Sequence, residues 1–275
     1  MGRDWASGLR DARRYAVRAA LRRMIPCHLT LLRKIFKSSP IGLPYWLCWR
    51  RALGLLTRAP NPLSPPHDLL YRSGRPVAVP ELAGLVTADM LSGWTLDAES
   101  ISLVWMLLGR DAPSLILECG SGVSTLVFAR FASLACSRGR RCSVMSMEQD
   151  QQIREKVDVE LAQAGLRQFA RVCHVPLRDG SDYDAEAVGA ALALVPRRHA
   201  DFVFIDGPYG PPGCRAHTLT TLLPYLRNGA RWLMDDAFRD GELSILRRWA
   251  ACESLTVTGI YPIGKGLATG SVRLG

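Results

Sequence analysis

From residue 97 onward, apolar positions fall into two alternating kinds of run. Short continuous apolar blocks predict buried strands: Leu115 to Leu117 ending in Glu118, Ser143 to Met147 ending in Glu148, Arg171 to Val175, Asp201 to Ile205 ending in Asp206, and Ala230 to Met234 leading into Asp235 and Asp236. Helical spacing separates them. Asp97 reads as an N-cap, after which Ile101, Val104, Trp105 and Leu108 recur until Gly109; further helices are predicted over Val123 to Ala135, Asp150 to Ala164 closed by Gly165, Ala216 to Leu226, and Asp240 to Ala251. Two last segments, Leu255 to Tyr261 and Leu267 to Leu274, read as strands with no helix between them. This alternation predicts an α/β domain built on a doubly wound, mostly parallel seven-stranded sheet.

The region before residue 87 has another character. Residues 1–60 hold 13 Lys or Arg against two Asp, a net of +11, whereas the rest of the 275-residue chain is close to neutral. Apolar residues at Leu9, Ala12, Ala16, Ala19, Ala20 and Met24 between arginines predict a basic amphipathic helix broken at Pro26, and Tyr45 to Arg51 mixes interfacial aromatics with arginine. Residues 1–58 are therefore read as a basic helical extension, 59–86 as a proline-rich linker and lead-in, and 87–275 as the main domain. The extension suits a helical cap with solvated arginines or a peripheral contact with an anionic membrane; nucleic acid ranks third, because the core carries no basic track.

Composition removes several classes. No apolar stretch approaches the roughly 20 residues of a membrane-spanning helix, and the start has no apolar core followed by a small-residue cleavage site, so the expected location is the cytoplasm, with contact at the inner face of the membrane if the extension binds lipid. The eight cysteines form no Cys-x-x-Cys pair and sit mostly in apolar runs, as reduced thiols do; the five histidines have no close pair at metal-ligand spacing.

The chemistry concentrates at the ends of the strands. After Glu118 the chain passes through Gly120, Ser121 and Gly122 and enters a helix whose free N–H groups face the turn. A dinucleotide fingerprint would carry a third glycine where Thr125 stands, and a carboxylate before the turn would repel a phosphate but could pair with a cationic amino group. The pattern Glu-x-Gly-Ser-Gly-x-Ser-Thr resembles motif I of class I S-adenosylmethionine-dependent methyltransferases. The resemblance covers about residues 87–275 and implies the strand order 3-2-1-4-5-7-6. It implies S-adenosylmethionine as cofactor, with Glu118, Gly120, Ser121, Gly122 and Ser124 around its amino-acid part, Glu148 on the ribose hydroxyls, and Leu177 beside the adenine.

Asp206-Gly-Pro-Tyr209 follows the fourth strand, where the family places the methyl acceptor. Asp206, Asp235 and Asp236 are expected to cluster there, since neighbouring strands lie about 4.8 Å apart. They would hold Mg²⁺, as in catechol-type O-methyltransferases, or serve as caps of turns without a metal. The lysine base that such enzymes carry after the fourth strand is missing, so no base carries over; the catalytic candidates are Asp206, Tyr209 and His217, and Arg215 and His217 read either as a substrate clamp or base or as solvated loop residues. The function implied is O-methylation of a small-molecule or saccharide hydroxyl, Mg²⁺-assisted if the carboxylates bind metal. The alternatives are amino-group methylation of nucleic acid, suggested by Asp206 to Tyr209 but broken by Gly207, and a protein that binds the cofactor or a membrane without catalysis.

Overall fold

A computed structural model describes residues 74–180, 182–195 and 199–274. Residues 66–275 form the second of two units of the chain, and every described residue lies in it. The basic extension and its expected membrane contact fall outside the described residues. No described helix is long and apolar enough to cross a membrane.

Seven strands make one sheet: β1 (Leu115–Cys119), β2 (Ser143–Glu148), β3 (Ala170–His174), β4 (Ala200–Ile205), β5 (Leu226–Met234), β6 (Leu255–Tyr261) and β7 (Leu267–Val272). Their order is β3-β2-β1-β4-β5-β7-β6, as the resemblance implies. β1 pairs in parallel with β2 on one side and β4 on the other, so the switch point of the winding lies at its carboxyl end. β7 runs antiparallel between β5 and β6. The helices are α1 (Ala98–Asp111), α2 (Val123–Ser137), α3 (Gln151–Gln163), α4 (Ala185–Ala193), α5 (Thr218–Leu222) and α6 (Asp240–Ala250).

Because successive strand residues face opposite ways, the sheet divides the core in two. Ile116, Val144, Phe202, Phe204 and Leu233 pack with Val104 and Phe128 of α1 and α2 on one face. Leu117, Met145, Val203, Trp232 and Met234 pack with Val188, Leu219 and Trp249 of α4, α5 and α6 on the other. Trp232 and Trp249 meet edge to face at 5.3 Å, fastening α6 to the sheet.

Several boundaries differ from expectation. α1 continues past Gly109 to Asp111 and ends on Ala112 in the left-handed region; Asp97 caps it as expected, accepting a hydrogen bond from Ser100 N. The helix expected to reach Leu226 stops at Leu222, a 3-10 turn spans Leu223–Tyr225, and β5 begins at Leu226. The pairing of β4 with β5 absorbs the extra residues by a register shift between Ala200 and Phe202. α4 was not anticipated, nor was the two-residue ladder that pairs Leu177–Arg178 with Asp182–Tyr183.

Gly270 of β7 is fixed by packing: a Cβ there would lie 1.8 Å from the Thr256 carbonyl oxygen and 2.2 Å from the Trp232 ring. A Cβ on Gly259 of β6 would meet nothing within 4 Å. Gly270→Ala should therefore cost ~3 kcal/mol or more and lower Tm by roughly 6 °C or more, whereas Gly259→Ala should leave Tm nearly unchanged, both read by thermal denaturation.

Candidate active site

The carboxyl ends of β1, β2, β4 and β5 meet around a cavity of about 540 Å³. Its floor is the turn after β1, and the turn after β4 lies against it. Gly120, at φ 85°, brings its Cα so close to the next turn that a Cβ would lie 2.9 Å from Gly207 N, and Gly207 N donates to the Cys119 carbonyl at 2.6 Å. Gly122 differs: it is extended, and a Cβ would project into open space beside the cavity it lines.

Glu148 forms one wall. Its Oε2 accepts from Ser121 N at 2.7 Å and Ser121 Oγ at 2.9 Å, and its Oε1 accepts from Asp150 N at 3.0 Å. These three bonds use most of the roughly four acceptor positions of a carboxylate. A ribose diol would therefore meet one free position and gain a second if the Ser121 hydroxyl turned away. Gln149, Asp150 and Ile153 continue this wall, whereas Leu177 is half-buried in the core beyond it and is absent from the lining.

Glu118 lies elsewhere than expected. It shares strand parity with Ile116, so its side chain points to the α2 face, fully buried and outside the cavity lining. It accepts from Ser124 Oγ at 2.5 Å and Thr125 Oγ1 at 2.6 Å. Thr125 Oγ1 also accepts from Gly122 N at 3.0 Å, so one hydroxyl ties the glycine turn to the acid beneath it. A glycine at 125 could make neither bond. Glu118 is a support of the turn, not a direct ligand contact.

At the other end of the cavity, Asp206, Asp235 and Asp236 offer oxygens all within 4.8 Å of one another. They are not alone. Lys265, between Gly264 and Gly266 in the turn joining β6 to β7, places Nζ 2.8 Å from Asp235 Oδ2 and 3.1 Å from Asp236 Oδ1. Arg215 lies 3.2 Å from Asp206 Oδ1 and from Asp236 Oδ2, and donates to the carbonyls of Asp206 and Asp235; Arg239 reaches Asp236 Oδ2 at 2.8 Å.

Protonation follows these contacts. Burial works against Asp236, but Lys265, Arg215 and Arg239 outweigh it and hold its carboxyl below the usual range. Asp235 is raised, because burial dominates and Lys265 is shared with Asp236. Burial opposes the charge of Lys265 and Arg215 too, yet the surrounding carboxylates raise both.

This donor set does not suit Mg²⁺. An ion bound at about 2.1 Å to Asp235 and Asp236 would stand beside the ammonium that already bridges them. At about 3 Å the repulsion is on the order of 10 kcal/mol at an effective dielectric constant of 20. The three carboxylates come together as expected, but protein cations fill the place proposed for a metal.

Of the catalytic candidates, Asp206 and Tyr209 reach the cavity and His217 does not. His217 is exposed at the start of α5, where its carbonyl accepts from Thr221 N. Tyr209 is exposed at the cavity mouth, edge-on to Trp94 at 5.6 Å, with its backbone clamped by the Gln149 amide at 2.6 and 2.9 Å. Sequence reasoning missed Trp94, Gln149 and Lys265. The glycines flanking Lys265 were the available signal for a tight turn.

A glycine-floored cavity at the switch point of a 3-2-1-4-5-7-6 sheet is a place where such folds bind ligands, and known proteins share this arrangement. Residues 117–237 match the family model described as "Methyltransferase domain". The cofactor-bound protein Rv0187 from MTB aligns at 21% identity over 72% of this chain and 91% of its own, with a TM-score of 0.54. A methyltransferase from Geobacter sulfurreducens aligns at 21% identity over 73% and 93%, with a TM-score of 0.50. The O-methyltransferase TomG from Streptomyces achromogenes, solved with S-adenosylmethionine, aligns at 19% over 71% and 91%, also at 0.50. No curated protein matches the sequence. Residues 117–237 thus resemble a methyltransferase domain, and the fold of the described residues is the one seen in these methyltransferase structures.

Glu118 supplies a pH test. Burial pushes its carboxyl up to about 7, against the pull of the Ser124 and Thr125 hydroxyls. A raised carboxyl stabilises the fold fully below its unfolded value, and that contribution is lost as pH rises to about 7. The loss is on the order of 3 kcal/mol. Glu118→Gln should remove it, so the Tm of this variant should gain on wild type steadily from pH 5 to about 8.

Proposed function

We propose that the chain is an O-methyltransferase that transfers the methyl group of S-adenosylmethionine to a hydroxyl of a small molecule. The observation that carries this reading is one cavity with Glu148 at one end and Asp206 at the other, joined across the Gly120–Gly122 turn. That TomG is an O-methyltransferase supports the hydroxyl acceptor.

The bound cofactor supplies an electrophilic methyl on a sulfonium sulfur. The chain then has three tasks. The turn from Gly120 to Ser124 and Glu148 hold the amino-acid and ribose parts, and Ser121 fixes the Glu148 carboxylate for that purpose. Asp206, which lines the acceptor end, would accept the proton that the acceptor hydroxyl loses on methylation. Trp94 and Tyr209 stand together at the mouth and offer two exposed aromatic rings to an acceptor. An acceptor with an apolar or aromatic body suits this rim better than a bare saccharide.

We place the enzyme in the cytoplasm, with residues 1–58 able to meet anionic lipid at the inner face of the membrane; their net charge supports this.

Titration calorimetry should show S-adenosylhomocysteine binding to the wild type, and Gly122→Val should weaken it at least ~10-fold without lowering Tm, since the new side chain has space but occupies the cavity. Glu148→Ala should also weaken it. Asp206→Asn should keep the product bound while methyl transfer falls by roughly 10²-fold or more. Label from S-adenosylmethionine appearing only in nucleic acid would transfer the case to amino-group methylation, and unchanged affinity in both binding variants would end the cofactor assignment.

A further inference from the structure

Lys265 belongs to no motif singled out in the sequence, yet its position is closely built. Gly264 and Gly266 take φ of 53° and 86°, in the left-handed region. A Cβ on Gly264 would lie 2.4 Å from Ser100 Oγ, and one on Gly266 would lie 2.6 Å from the Phe238 ring. The turn is also bonded to the segment that follows β5: Ala237 N donates to the Gly266 carbonyl at 2.9 Å and Phe238 N to the Lys265 carbonyl at 3.2 Å. The same backbone carries Asp235 and Asp236. The ammonium and its two carboxylates are thus set by one framework, and Lys265 is only 2% exposed while lining the cavity.

We infer that Lys265 takes the place of a divalent cation at the acceptor end of the cavity, so that the enzyme transfers methyl groups without metal. This rests on the methyl-transfer reading of the cavity. The ammonium bridges Asp235 and Asp236, which Arg215 and Arg239 help to balance, and its remaining N–H is available to the acceptor oxygen, where it stabilises the oxyanion that develops as Asp206 takes the proton. An octahedral ion would chelate two neighbouring oxygens, whereas an ammonium needs only one. The acceptor class is then a compound with a single acidic hydroxyl, such as a phenol, with no requirement for a catechol or vicinal diol.

The test uses metal alone as probe. Mn²⁺ titrated into the full chain, followed by electron paramagnetic resonance, should show no binding at the cluster, and Mg²⁺ should not raise Tm. Lys265→Met should lower Tm and create a site, binding Mn²⁺ at least ~10-fold more tightly than wild type and recovering Tm in Mg²⁺. Lys265→Arg should still exclude the metal. Mn²⁺ bound by wild type and lost in Asp235→Asn would overturn the inference, as would a folded Lys265→Met that gains no affinity. If that variant fails to fold, the wild-type and Asp235→Asn titrations decide alone. Binding of S-adenosylhomocysteine by wild type in EDTA is measured beside them, so a wrong metal assignment is told apart from a wrong cofactor.

Discussion

Two buried cations, Arg215 and Lys265, stand among the carboxylates at the ends of β4 and β5, and the acceptor end of the cavity depends on them. Charge at this depth persists only when it is paired and hydrogen-bonded. Arg215 does more than neutralise: it joins the backbone after β4, at Asp206 and Pro208, to the backbone after β5, at Asp235. Its fork fixes the spacing of the two strand ends in a way that a point charge could not. Lys265 then adds the turn between β6 and β7 to the same assembly. The antiparallel end of the sheet thereby contributes to a site otherwise made by parallel strands.

The cofactor end is organised by hydroxyls and backbone instead. Glu118, Ser124 and Thr125 form a closed group under the glycine turn, and Glu148 is held against Ser121 above it. The contact of Gly120 with Gly207 joins the two ends, since it sets the turn after β1 directly on the turn after β4. Position along the cavity is therefore decided mainly by backbone, and side chains supply charge at each end.

Much of this was legible in the sequence. Strands buried on both faces read as continuous apolar runs, and their terminal carboxylates marked where the site would form. The errors have physical reasons. Glu118 was read from its nearness to the turn, although its parity with Ile116 sends it toward α2. β5 is expected from Ala230, where the continuous apolar run starts, whereas it begins at Leu226 and carries Gly229 at φ 78° inside the strand. α4 is alanine-rich, and only Val188, Ala191 and Leu192 are buried, too few to give a strong period. Lys265 could not be placed, because its partners lie some 30 residues away and only the register of β7 on β5 brings them together.

The central claim is that one cavity, floored by Gly120 to Gly122, binds the methyl donor between Glu148 and Asp206. A crystal structure grown with S-adenosylhomocysteine tests this most directly. The account predicts density for the ligand with its ribose on Glu148 and its sulfur facing Asp206. A well-diffracting crystal with the ligand bound elsewhere, or with this cavity filled only by water at saturating ligand, would contradict it.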